Sequence, residues 1–231
     1  MRTRFPIGLT IATAISLAIL CGLGGWQLKR LAWKTELLAS IASAQAEPPR
    51  PIALVPLTPA YRFRRVTLDC PGLASAPFVE LYAIKDGEAG HRLVSLCSPV
   101  GARTQIMVDR GFVADTVSAR PAVTPSTALV HLTGVLREGE KPGTFTPPTV
   151  RDLFYVRDID QMALALGARR HPDVMILAET SSNPAWKPLV PTPLPPDIPN
   201  RHLEYALTWF GLAGALAAVY AALLRRGLKA A

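Results

Sequence analysis

The chain has 231 residues, 49% of them hydrophobic, with a mean hydropathy of +0.24 and a formal charge of +8. That is apolar for a soluble protein of this length, yet long enough to bury a core even after two membrane segments are set aside. The positive balance does not describe a nucleic-acid surface: Arg2, Arg4, Arg225, Arg226 and Lys229 flank the apolar segments, and elsewhere only Arg62/Arg64/Arg65 and Arg169/Arg170 cluster.

Residues 1–6 read as a cytoplasmic tail. Residues 7–26 (IGLTIATAISLAILCGLGGW) carry no charge, and a helix of about 20 residues crosses ~30 Å of hydrocarbon, so the first transmembrane helix is expected there. Ala44-Gln45-Ala46 resembles a signal-peptidase site, but it stands far beyond the apolar run, after Lys29, Arg30 and Lys34. The segment therefore reads as an uncleaved anchor. Residues 27–60 read as an interfacial helix extension, with Trp26, Arg30 and Trp33 on one face, followed by a linker rich in proline (Pro48, Pro49, Pro51, Pro56, Pro59).

Residues 61–183 are expected to form an extracytoplasmic, mainly β (α+β) domain, a small barrel or sandwich with one helix. Short β-branched runs at 64–69, 78–84, 93–97, 105–108, 130–136 and 174–178 are separated by Gly, Pro and Asp. Residues 158–166 (DIDQMALAL) predict the helix, with acidic groups in its first turn. Asp109-Arg110-Gly111 reads as a turn held by an Asp–Arg contact. Cys70 and Cys97 are permitted to pair in an oxidising compartment, but nothing in the sequence places them together, and they read as two unrelated buried thiols.

Residues 184–201 form a second proline-rich linker, including Pro184, Pro188, Pro191, Pro193, Pro195, Pro196 and Pro199. Residues 202–224 predict the second transmembrane helix, and 225–231 a second cytoplasmic tail. Arg225, Arg226 and Lys229 set the orientation: both termini cytoplasmic and the middle domain periplasmic, in a bacterial inner membrane. Lys29, Arg30 and Lys34 oppose this at the first span, but a long translocated domain is weakly bound by the charge rule.

Two small-residue stripes, Ala14/Ala18/Cys21/Gly25 and Gly211/Ala215/Ala218/Ala222 with Gly214 at its edge, are expected to pack together. On the opposite arc of the second helix lie His202, Tyr205, Ala206, Trp209, Ala213 and Tyr220. Two readings stay open. One is an interfacial aromatic belt, with Asn200 as helix cap. The other is a flat site for a porphyrin or partner helix, with His202 as axial ligand and Arg30 or Arg201 for carboxylates at the same depth. The middle domain carries no nucleophile, metal or nucleotide motif, and His91, His131 and His171 stand alone, so an enzyme is not expected.

Gly25-Trp26-Gln27-Leu28-Lys29-Arg30, continuing to Trp33-Lys34, resembles the stretch after the first span in the Surfeit-locus-1 family. Residues 200–210 (NRHLEYALTWF) closely resemble that family's entry to the second span. Residues 61–66 (YRFRRV), 108–113 (VDRGFV) and 132–137 (LTGVLR) are similar to its intervening strands, with Asp109 where the family often has Asn and Phe112 where it has Trp. The resemblance runs nearly the whole chain in order. It implies a non-enzymatic assembly factor for haem–copper cytochrome c oxidase, handling haem a on its way into the catalytic subunit, with that subunit and the haem a synthesis machinery as partners. It implies His202 as a haem ligand, beside which the helix faces put Tyr205, Trp209, Arg30 and Arg201, and it marks Trp26, Gln27, Arg30, Trp33 and Lys34 as the family motif. A scaffold that docks an oxidase intermediate without binding haem fits the same residues.

Overall fold

An uncharged run of Ile, Leu and Ala favours a helix, and nothing in the next twenty residues stops it. In the computed structural model α1 runs Ile7–Ala46, 40 residues, or about 60 Å at 1.5 Å per residue. It thus extends well beyond the expected span of 7–26 and ends against Pro48 and Pro49. The last helix, α3, runs His202–Lys229. The structure describes residues 6–168, 170–194 and 199–229, without the side chains of 227–229. Arg2, Arg4, Arg169, Pro195, Pro196 and the side chain of Lys229 lie outside the described residues.

The chain ends form one compact unit and Ala42–Pro195 the other. In the first unit both helices are long and apolar enough to cross a bilayer, and most of the surface of their apolar windows is exposed. A core helix of a soluble protein buries such a surface; these two fit a membrane location. Every shielded residue of α3 within 202–226 lies on one seam: His202, Ala206, Trp209, Ala213, Leu216, Tyr220 and Leu224. The matching shielded positions on α1 include Thr10, Thr13, Leu17, Leu20, Gly24, Gln27, Leu31 and Lys34. The α1 set, and the α3 set as far as Tyr220, follow alternating three- and four-residue steps, the spacing of a left-handed two-helix seam.

The helices run antiparallel, since Thr10 bonds Tyr220 and Gln27 bonds His202. This overturns the expected packing of the small stripes. Ala14, Ala18, Cys21, Ala215, Ala218 and Ala222 are exposed, and a Cβ added at Gly25, Gly211 or Gly214 would meet nothing within 4 Å. The physical reason is polar: in hydrocarbon the Thr10, Tyr220, Gln27 and His202 groups need partners, and only the other seam supplies them.

The second unit is a mixed sheet domain. Its strands are β1 (Arg50–Pro51), β2 (Arg65–Pro71), β3 (Phe78–Lys85), β4 (Glu88–Cys97), β5 (Ile106–Ala114), β6 (Leu129–Glu138), β7 (Leu153–Phe154) and β8 (Val174–Ala178). They form one eight-stranded sheet in the order β1-β2-β6-β8-β5-β4-β3-β7. A short α-helix, α2 (Ile159–Ala165), starts where Asp158 accepts from the backbone N–H groups of Asp160 and Gln161.

Alternation splits the central strands between two cores. Ile106, Val108, Val174 and Ile176 join Val66, Leu68, Leu132 and Leu136 on one face. Met107 and Met175 join Val79, Leu81, Val94 and the α2 residues Ile159 and Met162 on the other.

Cys70 of β2 and Cys97 of β4 form a disulfide inside the first core, with Cα atoms 5.6 Å apart. They are not unrelated thiols. Three strands separate β2 from β4 in the sheet, so pairing requires the sheet to curl, which no local spacing reveals. The bridge closes a separation of 27 residues. Cys70→Ser with Cys97→Ser is expected to lower the unfolding free energy of the full chain in detergent by about 3–4 kcal/mol. Urea titration followed by circular dichroism measures this, and the reduced wild type should show the same midpoint as the double variant.

Candidate functional site

The residues that enter α3 are tied to α1. Lys34 Nζ donates to the Pro199 carbonyl at 2.5 Å, and Asn200 Nδ2 donates to Thr35 Oγ1 at 3.3 Å. Among the described residues Asn200 Oδ1 is buried without a partner, so Asn200 acts as a tether to α1 and not as the expected cap. One step further, His202 Nδ1 lies 2.7 Å from Gln27 Oε1. An amide oxygen only accepts, so the imidazole donates from Nδ1. Nε2 has no protein partner among the described residues, and it carries the lone pair of the neutral ring.

Two turns along, Gly24 makes room for Phe210. A Cβ at Gly24 would stand 2.7–2.9 Å from the Phe210 ring. Glycine here allows a close approach of the helices beside the His202–Gln27 bond.

The remaining sequence-derived candidates divide. Trp209 is half-buried along the seam, while Tyr205 is exposed off it. The arc read as a free, flat porphyrin face is therefore covered in large part by α1: Ala206 and Ala213 are buried, and His202 and Tyr220 are bonded across the seam. What stays accessible is the end of the helix pair that holds His202, where Trp26, Trp33 and Tyr205 are exposed. Arg30 stacks 4.0 Å over Trp33. Arg201 is exposed with Nε 3.5 Å from Glu204 Oε2, a contact worth little at the surface. Arg30 and Arg201 thus remain free to turn towards an anion.

In the sheet domain, Asp109-Arg110-Gly111 is not a turn but the middle of β5. Its charged side chains find their partners on the neighbouring strand and in loops beside the sheet. Asp109 accepts from Arg92 Nε at 2.5 Å, and burial pushes its carboxyl above the usual range while the Arg92 charge opposes that shift. Arg110 is fully buried and donates to the Ala74 carbonyl at 2.7 Å, Ser182 Oγ at 3.1 Å and Ser95 Oγ at 3.3 Å. Burial pushes its guanidinium down to about 10. Gly111, at φ 129°, lets Val190 approach within 2.4 Å of where a Cβ would stand, and Phe112 and Val190 exchange backbone hydrogen bonds there. These are positioning contacts that lock loops to the sheet.

His91 lies 3.1 Å from Glu80 and 3.3 Å from Asp115, with Arg120 bound to the same carboxylate of Glu80. Among the described residues no group of three His, Cys, Asp or Glu side chains could hold a metal ion.

Sequence reasoning named Gln27 and His202 separately and missed their bond. The signal was present as the alternating three- and four-residue spacing on both helices, which points the two residues at each other once the helices run antiparallel.

A sequence model of the SURF1 family matches residues 14–214, which take in most of α1, the whole sheet and the first half of α3. Surfeit locus protein 1 of Rattus norvegicus is 28% identical over 220 residues, covering 84% of this chain and 68% of that protein. A SURF1-like protein of Drosophila melanogaster is 28% identical over 218 residues, covering 84% and 70%. A SURF1-like protein of Rickettsia felis is 27% identical over 217 residues, covering 91% and 94%.

Gly24→Val is expected to part the helices. Gly24→Val should lower the unfolding free energy of the full chain in detergent by about 1–3 kcal/mol, measured by urea titration with circular dichroism, and adding Phe210→Ala, which removes the ring that Gly24 admits, should recover part of that loss. In the sheet domain, Arg110→Ala should cost about 3–5 kcal/mol, from the lost volume and the hydrogen bonds left unmade, measured by urea unfolding.

Proposed function

The chain belongs to the SURF1 family, and on that footing we propose that it is a non-enzymatic assembly factor for a haem–copper cytochrome c oxidase that handles haem a before the catalytic subunit receives it. The observation that carries this reading is the state of His202. Its Nδ1 is engaged by Gln27 across the helix seam, and its Nε2 has no protein partner among the described residues. Among the described residues this is the one imidazole on the apolar helices, and its donor set fits one axial position of a haem.

When bound, haem a supplies an iron that takes an imidazole, two anionic propionates and a long apolar tail. The chain's own groups answer each in turn. His202 offers Nε2 at the mouth of α3. Arg30 and Arg201 are exposed near the same level and have the fork geometry for carboxylates. Trp26, Trp33 and Tyr205 present exposed apolar rings, with Trp209 half-buried behind them. A single protein ligand favours release, which a carrier requires.

The same reading places both termini in the cytoplasm and the sheet domain in the periplasm of a bacterium. Arg225 and Arg226, which follow the apolar part of α3, support that orientation, and the buried Cys70–Cys97 bridge suits an oxidising compartment. The oxidase catalytic subunit and the haem a synthesis machinery are the partners it implies.

A scaffold that docks an oxidase intermediate without haem is the second reading. It is favoured by the outward-facing small residues Gly211, Ala215, Ala218 and Ala222, which leave α3 with a face that another membrane helix could approach.

The absorption spectrum of the full chain, purified in detergent from cells that make haem a, separates the two. A haem a spectrum in the wild type that is lost in His202→Ala is the expected result. No haem in either, with oxidase lost when the gene is deleted, would replace the carrier by the scaffold.

A further inference from the structure

We infer that Gln27 is the positioning residue for His202: its side-chain oxygen fixes the imidazole as the Nδ1–H tautomer, so that Nε2 is the atom presented for ligation. The inference rests on the haem reading for the identity of the ligand, and on the helix seam for everything else. A neutral imidazole free in water prefers to carry its proton on Nε2, which would cap the nitrogen that points away from the backbone. At His202 the Gln27 oxygen sits 2.7 Å from Nδ1 and accepts. The proton is therefore drawn to the inner nitrogen and the outer lone pair is left open. The ring that a metal ligand needs is prepared by the partner helix before any ligand arrives.

The surroundings make the bond hard to lose. Both residues are half-buried in the seam. Gly24, one turn from Gln27, admits the Phe210 ring and keeps the helices close. Lys34 and Thr35 hold the backbone of Pro199 and the side chain of Asn200 just before His202. Rotation of the imidazole would break its bond to Gln27 at a place where both side chains are partly shielded from solvent.

The choice of an amide also matters. A carboxylate in this place would push more charge onto the ring and strengthen its hold on a metal. A neutral carbonyl orients the ring with a weaker push, which suits a site that must let its cargo go. Gln27→Glu should therefore keep the tautomer and slow the loss of haem, whereas Gln27→Met, of similar shape with no comparable acceptor, should lose the tautomer.

The test uses the full chain in detergent, labelled with ¹⁵N-histidine, at one fixed neutral pH. The His202 ring signals are identified by their absence in His202→Ala. The expected spectrum shows protonated Nδ1 and bare Nε2 in the wild type and in Gln27→Glu, and a shift towards protonated Nε2 in Gln27→Met. A wild type with bare Nδ1, or a Gln27→Met spectrum identical to wild type, overturns the inference. In parallel, haem a is titrated into each protein and followed by absorption. Gln27→Met should bind it about 10- to 100-fold more weakly than wild type, and equal binding would also overturn the positioning role. If the tautomers are as expected but the wild type takes up no haem a, the haem reading fails while the assignment of Gln27 stands.

Discussion

The contact on which the candidate site depends is a hydrogen bond between two membrane helices, His202 to Gln27. In water such a bond contributes little beyond what solvent would give. Between helices that fit a hydrocarbon environment, the alternative is an unsatisfied donor, and the pairing fixes both register and direction. Thr10 and Tyr220 make the same kind of bond at the other end of the seam. Two polar rungs at opposite ends, with Gly24 admitting Phe210 between them, define an antiparallel hairpin better than the small-residue stripes do. Those stripes are left facing outwards.

The sheet domain is built on different physics. Its strands bury both faces at the centre, so β5 and β8 are apolar almost throughout while alternating between two cores. The two charged groups within β5 are not exceptions to be tolerated. Asp109 ties β5 to β4 through Arg92, and Arg110 gathers the Ala74 carbonyl and the Ser182 hydroxyl around the sheet. Together with the Cys70–Cys97 bridge they hold the curl of the sheet. Such buried polar contacts specify one arrangement more than they add stability.

Much of this was legible in the sequence. Two uncharged runs announced the helices, and β-branched runs between turn residues located six of the strands, with residues 174–178 matching β8 at both ends. Asp158 before an apolar run marked the start of α2. The errors share a cause. Asp109-Arg110-Gly111 looks like a turn because charge and glycine usually mark one, and only the distant partners Arg92, Ala74 and Ser182 make it a strand. Cys70 and Cys97 meet only because the whole sheet curls. Gln27 and His202 lie 175 positions apart, and their meeting depends on which of two competing seams wins. Local pattern fixes elements; long-range pairing is settled by what each buried polar group can reach.

The central claim is that this SURF1-family chain serves oxidase assembly through His202. Its most direct measurement is the haem a content and turnover of the oxidase in membranes from a strain lacking the gene, complemented with wild type or with His202→Ala at equal expression. The account predicts that deletion depletes haem a in the catalytic subunit, that the wild type restores it, and that His202→Ala does not. Full oxidase with His202→Ala, or no loss on deletion, would contradict it.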